Sequence, residues 1–64
     1  MEQNKPKCQL VGTDGNIFAL MGRASKTLKE NGMKKEAVNM TNEVFNALSY
    51  EEALLIISKY IEIV

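Results

Sequence analysis

Sixty-four residues set the scale of one small domain, near the lower limit at which an unstapled chain buries a self-sufficient core. An apolar content of 45% against 25% charged is ordinary for a globular protein and argues against a disordered chain. The formal net charge is zero, a single cysteine excludes an internal disulfide, and the longest apolar run, Ala53 to Ile57, falls far short of the ~20 residues that span a bilayer.

In chain order, residues 1–6 are polar, contain Pro6 and read as a flexible tail, leaving residues 7–64 as a single small helical domain. The start "MEQNKPKCQ" has no apolar core of the kind a secretory signal needs, so a cytoplasmic location is expected. "KCQLV" reads as an extended segment with Cys8 and Leu10 on one side and Val11 on the other.

"GTDGN", Gly12 to Asn16, admits three readings. As a hairpin turn it would require "IFALMG" to be a strand, but Ala, Leu and Met favour helix. As an anion or small-ligand site it would expose amides at a helix start, yet its spacing matches neither GxGxxG nor GxxxxGK[ST]. Asp14-x-Asn16 begins like a calcium loop, but Phe18 stands at the third ligand position. The preferred reading is a helix start, capped by Asp14 or Asn16, in which Gly12 and Gly15 supply positive φ.

From Ile17 the pattern takes the helical period. At ~100° per residue Ile17, Leu20, Met21, Ala24 and Leu28 fall on one stripe, with Arg23, Lys26 and Lys29 opposite. Asn31-Gly32 supplies the left-handed stop. Gly22 is the odd residue, because a mid-helix glycine costs about 0.5–1 kcal/mol relative to alanine. With Phe18 and Ser25 it forms a strip suited to close approach of another backbone, either "KCQLV" folded back or a partner chain. On that reading Gly22→Leu destabilises the domain or its assembly.

The second periodic segment places Ala37, Met40, Val44 and Leu48 on one stripe, widened by Val38 and Phe45, and turns Asn39, Asn42, Glu43 and Asn46 away. "SYEE" is a capping box: the Ser49 hydroxyl accepts from the Glu52 amide, and Glu52 reaches back to Ser49. The third helix, Tyr50 to about Ile61, is the most apolar. Ala53, Leu54, Ile56, Ile57, Tyr60, Ile61 and Val64 span about half its circumference, and Leu55 points away. The end "YIEIV" also alternates as a strand would, so residues 61–64 remain open between helix and strand.

An arc this wide exceeds what two short neighbouring helices need. The expectation is self-association as a homo-oligomer, a dimer most simply, through Leu54, Leu55, Ile56, Tyr60 and Ile63. "GMKKEA" and "SYEEAL" echo tetratricopeptide helix starts, but Ala37 and Ala53 lie too close together for that ~34-residue repeat.

Charge is segregated. Residues 1–35 hold seven basic against three acidic side chains, and residues 36–64 hold one against five. Such polarity suits self-association or an electrically oriented partner. Arg23, Lys26, Lys29, Lys34 and Lys35 are candidate phosphate contacts for a weak nucleic-acid binder. Against that alternative stand a pI of ≈ 6.2 and the lack of an aromatic residue in the basic run.

The chain has no histidine, which removes the commonest general base and zinc ligand. Glu51 and Glu52 diverge by ~100° on their helix, while Glu36 and Glu43 share one exposed face. Cys8 reads as a small core residue. No catalytic, cofactor-binding or metal-ligating residue is expected, and the domain is read as a non-enzymatic interaction module.

"CQLVGTDGNIFALMGRASKTLKENGMKKEA", followed by "SYEEALLIISKYIEI", resembles a family of small uncharacterised proteins encoded in phages and integrated mobile elements of Gram-positive bacteria. The likeness covers nearly the whole chain after Pro6, and "GTDGN" followed by Phe18 and Gly22 is its most specific part. It implies a cytoplasmic accessory protein of a mobile element and carries over no activity and no functional residue. The fold expected overall is mostly α: three helices in a compact domain with one short N-terminal extended segment, α+β if that segment pairs.

Overall fold

The computed structural model of the chain describes residues 5–10 and 15–64. Three helices form in sequence, α1 (Ile17–Glu30), α2 (Lys34–Phe45) and α3 (Tyr50–Tyr60), flanked by two short strands, β1 (Lys7–Cys8) and β2 (Glu62–Ile63). The strands pair in parallel with Lys7 opposite Glu62 and Cys8 opposite Ile63, so the extended N-terminal segment is fastened by the residues after α3. Glu62 N–H donates to the Pro6 carbonyl at 2.8 Å, and Val64 N–H donates to that of Cys8 at 3.1 Å.

α1 begins where Asn16 accepts the Phe18 amide on its side-chain oxygen at 2.8 Å, which satisfies one orphan donor of the first turn. Its buried line, Leu20, Ala24 and Leu28, is the inner part of the expected stripe; Ile17 and Met21 pack partly buried beside it. The helix ends in a Schellman turn. Met33 N–H reaches the Leu28 carbonyl at 2.8 Å and Gly32 N–H that of Lys29 at 3.1 Å, with Gly32 at φ 74°. Gly32 alone has positive φ among the described residues, so Gly15 does not play the left-handed role expected of it; Gly12, with residues 11–14, lies outside the described residues.

α2 buries Ala37, Met40 and Val44, and α3 buries Ala53 and Ile57. Leu28, Met40, Ile57 and Ile61 are the largest fully enclosed side chains and form the centre of one contiguous core that Cys8 and Leu10 close from the strand side. Cys8 is the small core residue expected, accepting the Thr27 hydroxyl at its sulfur over 3.2 Å. Alternation in "KCQL" therefore holds for Cys8 and Leu10, both buried, with Gln9 exposed between them.

Two expectations are corrected, and one left open is resolved. The buried stripe of α2 does not extend to Leu48, because the helix stops at Phe45. Asn46 and Ala47 donate to carbonyls three residues back, at 3.1 Å each, and that tighter turn breaks the helical phase. Leu48 is consequently 92% exposed, and Val38 and Phe45, expected to widen the stripe, also face solvent.

Residues after Tyr60 leave the helix. Ile61 takes extended backbone at the C-cap, remains buried, and Glu62–Ile63 becomes strand, which resolves the ambiguity of "YIEIV".

Finally, the described part of that N-terminal segment, residues 7–10, does not fold over Phe18, Gly22 and Ser25. β1 packs on α1 at Thr27, on the other flank of the buried stripe, because its backbone bonds go to β2 at the end of α3. Gly22 is exposed, and a Cβ added there would meet nothing within 4 Å.

Candidate functional site

On the Gly22 flank of α1, Phe18 and Ser25 lie beside α2 instead. Phe18 and Phe45 rest against each other with ring centroids 6.0 Å apart, tilted by 42°, within the range of favourable aromatic pairs. Both remain more than half exposed, at 58% and 61%. At ~100° per residue Val38, Thr41 and Phe45 share one side of α2; Phe45 meets Phe18, and Val38 and Thr41 border a groove with Ser25, while Gly22 stays open.

Two depressions lie along this face. One is a cup of about 310 Å³ at the α2–α3 turn; Phe18, Phe45, Leu48 and Tyr50 stand around it, and Ile17 and Val44 line it. No charged side chain lines it. The other is a shallower groove of about 240 Å³ between α1 and α2, bounded by Ser25, Lys29, Val38, Thr41 and Asn42 over Ala37.

Local hydrogen bonds fasten this end of the molecule. Ser49 accepts the Glu52 amide at 3.0 Å, as the capping box predicts, but the Glu52 carboxylate takes the Leu48 N–H at 2.6 Å rather than that of Ser49. The Tyr50 hydroxyl donates to the Gly15 carbonyl at 2.6 Å, tying the start of α3 to the start of α1. Leu48 therefore projects from a braced loop.

The residues expected to mediate self-association are not brought together. Ala53 and Ile57 define the buried line of α3. Leu54 and Ile56 flank it on opposite sides, partly buried against the core, and Leu55 stands alone on the far side at 68% exposure. The wide apolar arc is thus largely used inside the chain. Tyr60 is engaged as well: its hydroxyl donates to Glu43 at 2.5 Å, beside a Lys59–Glu43 ion pair at 3.2 Å. The Tyr60 hydrogen bond, then that of Lys59, holds the Glu43 carboxyl below its ordinary range, and the same bond to Glu43 raises the Tyr60 hydroxyl. Ile63 is exposed on β2, away from the α1–α2 face.

Arg23, Lys26, Lys29, Lys34 and Lys35 are all exposed, on α1 and at the start of α2. Of Gly12–Asn16 only Gly15 and Asn16 are described, and their polar groups serve the fold: the Gly15 carbonyl binds Tyr50, and the Asn16 side chain caps α1. Among the described residues no three His, Cys, Asp or Glu side chains group as a metal site would require, and no helix is long and apolar enough to cross a membrane.

Sequence reasoning missed Leu48 and Phe45 as surface residues. The available signal was "NALS", where a polar Asn and a Ser cap leave too little helix to carry Leu48 inward.

Fold and surface together define a small three-helix domain closed by a two-stranded parallel ribbon, with an apolar face over its first two helices. No family model matches the chain, and neither a known protein nor a solved structure matches it.

Proposed function

We propose that the chain is a non-enzymatic protein-interaction module that self-associates, and that its docking surface is the outer face of α1 and α2 rather than the arc of α3. The observation that carries this reading is the row of Phe18, Val38, Phe45 and Leu48, large apolar side chains left on the surface of a domain whose core is already closed by others. A chain this short has little apolar surface to spare, so a contiguous exposed group of this kind marks an interface. The resemblance to mobile-element proteins supports a cytoplasmic accessory role.

Sedimentation equilibrium tests it. The wild type associates at high micromolar concentration, and Phe45→Ser/Leu48→Ser sediments as a monomer with unchanged helical circular dichroism. A wild type that stays monomeric there overturns the reading.

The rival is weak phosphate contact by the exposed basic residues, sequence-independent and salt-sensitive. It requires a low-salt mobility shift that Arg23→Ala/Lys26→Ala diminishes.

A further inference from the structure

We propose that Asn31 is a site of covalent self-modification that the α1–α2 turn holds in check. When the turn opens, the Gly32 amide nitrogen attacks the Asn31 side chain and the carboxamide becomes a carboxylate. The inference is independent of self-association.

The residue that follows singles out this asparagine. Asn4, Asn16, Asn39, Asn42 and Asn46 each precede a residue whose side chain crowds the peptide nitrogen, whereas Asn31 precedes glycine. In the reaction the Gly32 nitrogen loses its proton and bonds to Asn31 Cγ, Nδ2 departs as ammonia, and a cyclic imide forms. Water then opens the ring at either carbonyl and leaves aspartate or isoaspartate. Water is consumed, ammonia is released, and nothing is oxidised or reduced.

Asn31 and Gly32 are both exposed, yet the folded turn keeps the reacting atoms apart. Ring closure requires the Gly32 nitrogen to eclipse Asn31 Cβ about the Cα–C bond, and at ψ 15° it is turned well away. The same nitrogen donates its N–H to the Lys29 carbonyl at 3.1 Å. The leaving group is held as well, Asn31 Nδ2 donating to the Thr27 carbonyl at 2.8 Å. Rotating ψ to the reactive value swings Gly32 off Lys29 and Met33 off Leu28, which dismantles the Schellman turn. The chemistry therefore waits on local opening. Gly32 has opposed effects here. Its φ of 74° closes the turn, and the side chain it lacks leaves Asn31 reactive whenever the turn is lost.

The conversion runs one way. A carboxylate at position 31 cannot donate to the Thr27 carbonyl, and it sets negative charge at the C-terminal end of α1, where the helix dipole opposes it. A converted turn opens more readily than the original.

Amide loss from the full chain, followed at mildly alkaline pH beside a free peptide of residues 29–34, tests this. Mass spectrometry of the tryptic peptide Glu30–Lys34 reads the replacement of –NH2 by –OH. In native buffer the chain converts more slowly than the free peptide by about tenfold or more. In urea that unfolds it, the two rates coincide and Asn31 outpaces every other asparagine. Asn31→Asp, one of the two products made in advance, keeps its helical circular dichroism and unfolds at lower urea than the wild type. A native chain that converts as fast as the peptide overturns the protective role of the turn. Amide loss spread evenly over the asparagines in urea overturns the site. An Asn31→Asp midpoint at or above that of the wild type overturns the one-way loosening.

Discussion

The two turns of this molecule solve the same problem in opposite ways. Between α1 and α2, Gly32 in left-handed backbone returns the chain at once, two backbone bonds satisfy the last carbonyls of α1, and Met33 tucks partly against the core. Between α2 and α3 there is no glycine. The chain unwinds through Asn46 and Ala47, is caught by the Ser49–Glu52 cap, and pushes Leu48 into solvent. Both turns are held by hydrogen bonds, so the exposure of Leu48 is not a failure to fold. One turn directs its apolar residue into the core, and the other holds one outward in solvent.

Substitutions sharpen that contrast. The largest effect belongs to the core: Ile57→Ala, at a fully enclosed position, is expected to cost about 2–5 kcal/mol in urea unfolding. That is a large share of what a domain of this length holds. Leu48→Ala, by comparison, should change stability by no more than ~0.5 kcal/mol, because the side chain is already in water. A cost near that of Ile57→Ala would place Leu48 in the core and remove the distinction between the turns.

Next come the turns themselves. Gly32→Ala forces a side chain into left-handed backbone and should cost about 1 kcal/mol. Ser49→Ala removes the N-cap of α3 and should cost a similar ~1 kcal/mol. The first should leave association unchanged. The second should loosen Leu48 and weaken association along with stability, which sedimentation and urea midpoints measured on the same samples would reveal.

The smallest effect concerns the far side of α2, where Glu43 holds Tyr60 and Lys59. The folded-state pKa of Glu43 is lowered, so its contribution is complete above the ordinary carboxylate value and is lost as pH falls through the folded-state value. That of Tyr60 is raised, so its contribution is complete below its ordinary value and is lost as pH rises through the folded-state one. The urea midpoint of the wild type should therefore sag at both extremes, and Glu43→Gln should flatten the profile. An unaltered profile in the variant would show that this exposed pair adds nothing to the fold.

Much of the architecture is legible in the residues because its causes are local. A 3.6-residue period, an Asn or Ser cap and an Asn-Gly stop act within a few residues of chain, so all three helices, the cap at Ser49 and the stop at Gly32 can be read directly, and the cap of α1 is narrowed to Asp14 or Asn16. The candidate site was less legible. Phe18 and Gly22 stood out as a strip, but which neighbour the strip meets depends on which flank of α1 each other element occupies, and the period alone does not carry that.

What only the tertiary structure decided follows from contacts between distant parts of the chain. The extended character of "KCQLV" and the alternation of "YIEIV" are visible in the residues, but their pairing is not: β1 forms because β2 lies beside it at the other end of the sequence, where their amides and carbonyls satisfy one another. That pairing draws "KC" to the Thr27 side of α1 and leaves the Phe18 and Gly22 side open. By itself the sequence determined a three-helix domain and the turn after its first helix. The long-range ribbon, and the helical phase lost after Phe45, determined which of its apolar residues became core and which became surface.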